Sequence, residues 1–178
     1  MQLPIIPPLD SQEREEALDR QAILTKPLGA LGKLETLSAN LVAMTGRMDW
    51  RPERRAIILA AGDHGVVKHG VSAYPQEVTA QMVHNFIAGG AAINVIARQM
   101  NARLRIIDAG VAAPLPPEVT NHPSFVDAKA GLGTADFTIE PALTSAQAEQ
   151  VVQAGIDELN RQVEQGLDIV AVGEMGIG

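Results

Sequence analysis

Three carboxylates stand where runs of small and branched apolar residues give out. Asp63 follows Ala56 to Ala61 (Ala-Ile-Ile-Leu-Ala-Ala) and Gly62, Asp108 ends the run that begins at Leu104, and Glu174 follows Leu167 to Val172 across Gly173. Each run reads as a strand covered on both faces of a parallel sheet. In such sheets ligands bind outside the carboxyl ends of the strands. Acids and glycines gathered on one rim would make a polar, backbone-rich cleft suited to a sugar or a sugar phosphate. Taken singly, an aspartate after a strand equally well caps the next turn, and that reading stays open for each of them.

The segment Gly173-Glu174-Met175-Gly176-Ile177-Gly178 offers a second kind of chemistry. A buried strand that enters a glycine-rich turn commonly opens a helix whose free N–H groups receive an anion, frequently a phosphate. The spacing is neither the GxGxxG dinucleotide fingerprint nor a Walker loop, and a plain tight turn is the competing explanation. The sequence ends here before any helix begins, so a longer chain is expected. Nearer the first run, Tyr74, Pro75, Gln81 and Met82 are candidates to line an aromatic-sized pocket, although Met82 and Val78 equally suit the core. His64 and His69, five apart across Gly65, fit neither one helix face nor strand alternation, and no metal site is expected from them. His84 and His122 read as solvent-facing or hydrogen-bonded.

These groups need elements to hold them. Asp10 with Glu13 looks like a capping box and opens a helix to about Leu24; Leu34, Leu37, Leu41 and Met44 recur at helical spacing up to Gly46. Pro75 suits a first helical position, with Val78, Met82 and Phe86 as a stripe behind it; Ile93, Ile96, Ala97 and Met100 continue after Gly89-Gly90. Thr144 and Gln147 form a capping box for a helix whose core stripe is expected to be Val152, Ile156, Leu159 and Val163, ending at Gly166. The span from Pro114 to Pro141 reads as a long surface excursion with a short strand near Phe125. Strand, helices, strand, helix, strand is the order of right-handed crossovers, so the expected fold is α/β, a Rossmann-like parallel sheet flanked by helices. The expected division is a helical segment, 1–50, belonging to a smaller lobe, and a partial α/β domain, 51–178.

Composition limits the partners. A net charge of −7 and a pI near 5.0 argue against nucleic acid or an anionic membrane, which would call for a basic face. The absence of cysteine removes disulfides and thiolate chemistry. The first residues, Met1 to Pro8, lack a basic leader and are broken by proline, and no apolar run approaches membrane-spanning length, so a cytoplasmic location is expected.

Five segments occur in one order: Lys26-Pro27-Leu28-Gly29-Ala30-Leu31-Gly32-Lys33-Leu34-Glu35, Asp63-His64-Gly65-Val66, Gly70-Val71-Ser72-Ala73-Tyr74-Pro75 with Val78-Thr79, Pro141-Ala142-Leu143-Thr144, and the terminal glycine segment. Together they resemble the nicotinate-nucleotide:dimethylbenzimidazole phosphoribosyltransferase family, over nearly the whole chain. The resemblance implies transfer of phosphoribose from nicotinate mononucleotide to a benzimidazole base in cobalamin nucleotide-loop assembly, no cofactor, a homodimer, and a chain corresponding to the N-terminal half. It implies that Glu174 lies close to the ribose, that Gly176 donates toward the phosphate, and that the general-base glutamate lies beyond residue 178. Tyr74 and Met82 fall where relatives place polar residues of the base pocket, which leaves base preference open. Two other readings remain from the residues themselves: a non-catalytic binding module, or another doubly wound enzyme acting on a nucleotide or sugar phosphate.

Overall fold

The computed structural model describes residues 5–178, in two compact units that divide between Pro52 and Glu53. Residues 1–4, on which the reading of the leader partly rests, lie outside the described residues. No helix among the described residues is long and apolar enough to cross a membrane.

The first unit is a helix pair. Ser11–Ile23 (α1) starts where the Asp10 side chain accepts from the backbone N–H groups of Gln12 and Glu13, at 2.9 and 3.1 Å. Lys33–Thr45 (α2) ends at Gly46, whose left-handed φ of 64° lets its N–H reach Val42 O. The two helices meet through Ala17, Ala39 and Val42. The expected leucine stripe of α2 is therefore displaced: Leu34, Leu37 and Met44 are exposed. Alanines allow a close helix approach, and the buried face is the one that carries them.

The second unit carries the sheet. Arg55–Gly62 (β1) is flanked in parallel by Ala102–Gly110 (β2) on one side and Ile169–Met175 (β4) on the other, and Phe125–Asp127 (β3) adds in parallel to β2. The order is β3-β2-β1-β4. The expected parallel α/β sheet is thus present, and the excursion after β2 supplies its edge strand. Between β1 and β2 lie a short 3-10 turn, Gly65–His69, and the helices Glu77–Ala88 (α3) and Ala92–Gln99 (α4). Pro75 stands two residues ahead of α3 and accepts from Val78 N–H, outside the helical position expected for it. Pro117–Thr120 (α5) precedes β3, and Ser145–Glu164 (α6) returns the chain to β4.

Side chains alternate across the sheet. Leu59, Ala61, Ile106 and Phe125 face one way and bury against Val83 and Phe86 of α3 and Val119 of α5. The opposite face carries Ile58, Ala60, Ile107 and Val172, and α6 lies over it. The Thr144–Gln147 capping box forms as expected. The expected core stripe of α6 does not. Val152, Leu159 and Val163 are exposed, while Glu158 and Gln162 are buried. Arg103 and Arg105 on β2 explain the rotation: Arg103 Nε donates to Gln162 Oε1 at 2.8 Å and Arg105 Nε to Glu158 Oε1. A partly buried arginine demands a partner, so α6 turns its polar residues inward and leaves an apolar groove beside its stripe. On α4 the same shift toward small residues buries Asn94 and Ala97 and exposes Ile96 and Met100.

At the far end from the glycine segment, Asp168 joins β4 to β1. Its carboxylate accepts from the N–H groups of Glu53 and Arg54 and from Arg54 Nη2, the last at 2.7 Å. The arginine's side-chain hydrogen bonds and the backbone donors hold the Asp168 carboxyl well below the usual carboxylate range. Because the folded pKa lies below the unfolded value of about 3.9, the interaction contributes its full stability above that pH and loses it as pH falls toward the folded pKa. In urea unfolding, Asp168→Asn is expected to lower the midpoint at pH 7, and the gap from the parent protein should shrink steadily below about pH 4; a gap that does not change with pH would refute the assignment.

Candidate active site at the strand ends

The order of strand addition reverses at β1. From β1 the sheet grows outward through β2 and β3, and β4 is then laid against the other side of β1. A crevice forms at such a switch point because the connections leave in opposite directions. Here a cavity of about 340 Å³ opens at the carboxyl ends of β1, β2 and β4, lined among others by Gly62, Asp63, His64, Gly110, Thr134 and Glu174.

Asp63 is the junction of this floor. Its N–H donates to Gly110 O (3.0 Å), its carbonyl accepts from Thr134 N–H (2.9 Å), and its Oδ2 accepts from Ala112 N–H (2.8 Å). It is 1% exposed, and its Oδ1 is buried without a protein partner among the described residues. The excursion closes over the same point. Gly65 N–H donates to Thr134 Oγ1, and a Cβ on Gly65 would stand 2.7 Å from Thr134 O. Asp136 fastens the excursion: Thr138 Oγ1 donates to its Oδ1 (2.7 Å), and His69 Nε2 (2.6 Å) and Lys68 Nζ (3.0 Å) meet its Oδ2. Hydrogen bonds from Thr138, then those from His69 and Lys68, hold the Asp136 carboxyl far below its ordinary value.

Glu174 belongs to β4 itself, one residue before the strand ends, and not to a turn as its glycine neighbours suggest. It pairs with Ala60, so it stands on the α6 face and lines the cavity. Among the described residues no group hydrogen-bonds its carboxylate. Asp108 pairs with Ala61 and so lies on the opposite face, 2% exposed and absent from the cavity lining. Its Oδ1 accepts from the N–H groups of Gly110 and Val111, and its Oδ2 meets Lys129 Nζ at 3.2 Å. Burial pushes its pKa up against these donors. The two acids that the sequence sets on one rim are therefore separated by the sheet.

Gly173 is opposite Leu59 within β4, while Gly176 touches the end of β1. A Cβ on Gly176 would collide with Gly62 O and come within 2.9 Å of His64 Nε2. The next residue is held from two sides: His64 N–H donates to Ile177 O, and Ile177 N–H donates to Thr79 Oγ1. Tyr74, Pro75 and Gln81 are exposed around the start of α3, Met82 packs against the core, and none of the four lines the cavity. His64 is a lining residue that the sequence did not single out for a substrate; only its place directly after a strand-end acid signalled it. No cluster of His, Asp or Glu suited to a metal occurs among the described residues. Gly176→Ala is expected to destabilise the protein by about 1–3 kcal/mol through this overlap, measured by urea unfolding. Gly155→Ala, where nothing lies within 4 Å on α6, should instead stabilise it by roughly 0.5–1 kcal/mol.

Comparison with known proteins agrees with this geometry. A family model described as phosphoribosyltransferase matches residues 6–178. The nicotinate-nucleotide–dimethylbenzimidazole phosphoribosyltransferase of Roseiflexus sp. strain RS-1 is 53% identical over 173 residues, 97% of this chain and 48% of its own length. The protein of the same name from Pseudomonas fluorescens is 49% identical over 170 residues, 96% of this chain and 47% of its own. The crystal structure of the corresponding enzyme from Thermus thermophilus superposes with a TM-score of 0.88 at 43% identity, covering 96% of this chain and 50% of that one. The chain spans about half the length of the curated relatives it matches. On the match across residues 6–178, the chain belongs to this phosphoribosyltransferase family.

Proposed function

We propose that the protein of which this chain forms the sheet and its switch-point crevice transfers the phosphoribosyl group of nicotinate mononucleotide to 5,6-dimethylbenzimidazole, giving α-ribazole 5′-phosphate and nicotinate. The observation that carries this reading is the identity of about half the residues to relatives bearing that name, together with a family match that extends through the glycine segment at the crevice. In the reaction the bond from ribose C1′ to the pyridinium nitrogen breaks and a bond from C1′ to a benzimidazole nitrogen forms. The leaving ring takes the bonding electron pair and becomes neutral, and the proton on the other benzimidazole nitrogen passes to a general base, which the resemblance puts beyond residue 178. Positive charge develops on the ribose as the pyridinium departs. Glu174, uncommitted and lining the cavity, is the group assigned to face that charge.

Asp63 is assigned to fixing the floor of the site, with Gly176 shaping the turn toward the phosphate, Gly173 leaving space beside the substrate at the end of β4, and Asp108 bracing the neighbouring turn through its own hydrogen bonds. Tyr74, Pro75, Gln81 and Met82 are assigned to the shelf for the base, on the strength of their place between the end of β1 and the first turns of α3. The proposal includes a cytoplasmic homodimer in which residues 1–50 belong to a smaller lobe; light scattering on the full-length protein reads the dimer directly.

Full-length protein incubated with nicotinate mononucleotide and dimethylbenzimidazole should yield α-ribazole phosphate and nicotinate in equal amounts, and absence of both overturns the proposal. Glu174→Gln is expected to lower kcat by roughly 10²-fold with little change in the urea midpoint, because the residue is exposed and bonds no protein group.

A further inference from the structure

A phosphate group entering this crevice meets an unfavourable field. The cavity lining holds two carboxylates, Asp63 and Glu174, and neither lysine nor arginine. The nearby lysines are committed elsewhere. Lys129 Nζ meets Asp108 at 3.2 Å and donates to Val111 O at 2.7 Å, and Lys68 Nζ meets Asp136 at 3.0 Å. One lining residue can carry positive charge: His64.

Its placement is specific. The imidazole lies against the glycine turn, with Nε2 at 2.9 Å from the point a Gly176 Cβ would occupy, while its backbone N–H holds Ile177 O. A Cβ on Gly178 would also come within 2.6 Å of the His64 Cβ, so the turn is folded around this side chain on two sides. Neither ring nitrogen hydrogen-bonds a protein group among the described residues. Two other histidines have given up a ring nitrogen to the fold: His69 to Asp136 and His122 to the N–H of Ser124. A half-buried imidazole with both nitrogens free, in a cavity otherwise negative, is equipped to donate to an anion.

We propose that His64 contacts the 5′-phosphate of the nucleotide substrate and is the residue of this chain that distinguishes the phosphorylated nucleotide from its nucleoside. This rests on the transferase reading above. The resemblance gives Gly176 as a neutral backbone donor, and the imidazole adds the side-chain donor that two neighbouring acids make necessary.

The test compares ligands that differ only in the phosphate. Calorimetric binding of nicotinate mononucleotide and nicotinate riboside is measured on the full-length protein and on its His64→Ala and His64→Gln variants. Loss of one charge-assisted hydrogen bond corresponds to roughly tenfold or more. His64→Ala should weaken the mononucleotide by about that factor and the riboside by less than about twofold, with His64→Gln in between. Equal weakening of both ligands would make His64 a packing residue of the glycine turn, and no weakening of either would remove it from the site; both results overturn the proposal. A parent protein that forms no α-ribazole phosphate and binds neither ligand overturns the transferase reading itself, whereas an active parent with an unchanged ligand ratio in the variants overturns only the role of His64.

Discussion

The site depends on parallel pairing of β1 on both of its edges, with the chain leaving first to one side and returning on the other. That reversal brings four segments to the carboxyl end of one strand: the Asp63-His64 step, the turn after β2, the Thr134 turn of the excursion and the glycine turn after β4. Asp63 holds the turn after β2 through its amide and its Oδ2 and the Thr134 turn through its carbonyl, and the His64 amide holds the glycine turn. Because so many connections share two residues, the floor of the crevice is over-determined. That is the condition under which a buried oxygen without a donor can persist.

The parallel sheet, its helices and the capping residues were legible because period and end signals are local properties. Asp10, Gly46, Thr144 and Gln147 act in the structure as their types suggest. The buried faces of the helices were not legible. On α6 three of the four apolar residues at helical spacing lost to Glu158 and Gln162, since two arginines on β2 required partners and no local pattern reveals a demand set about fifty to sixty residues away in sequence. On α2 the leucines lost to alanines, whose small size favours contact with α1 although they rank below leucine in hydropathy.

Much the same division holds at the site. The sequence marked Asp63, Glu174 and Gly176, all of which come to the switch point. It also marked Asp108, which lies across the sheet because its partner in β1 is Ala61 and not Ala60. His64 went unremarked as a ligand contact because an isolated histidine carries no spacing signal; what distinguishes it is an imidazole without a hydrogen-bond partner among the described residues, in a place where the fold satisfies most other polar groups. The transferase chemistry asks for little covalent help from the protein. Under the proposed reading a flexible nucleotide has to be held with C1′ open to attack, a task suited to a crevice built from backbone and short side chains.

The acid that faces the cavity is selected at the opposite end of the sheet. Asp168 clamps the start of β4 onto Glu53 and Arg54, six residues before Glu174, roughly 20 Å away along an extended strand. Were β4 to slide by one position, every side chain on it would change sides; Glu174 would turn toward α3, and Gly173 or Met175 would be offered to the substrate instead. An ion pair remote from the cavity thus acts as a phase setting for the strand, and the identity of the residue presented to the crevice is encoded in where that strand begins.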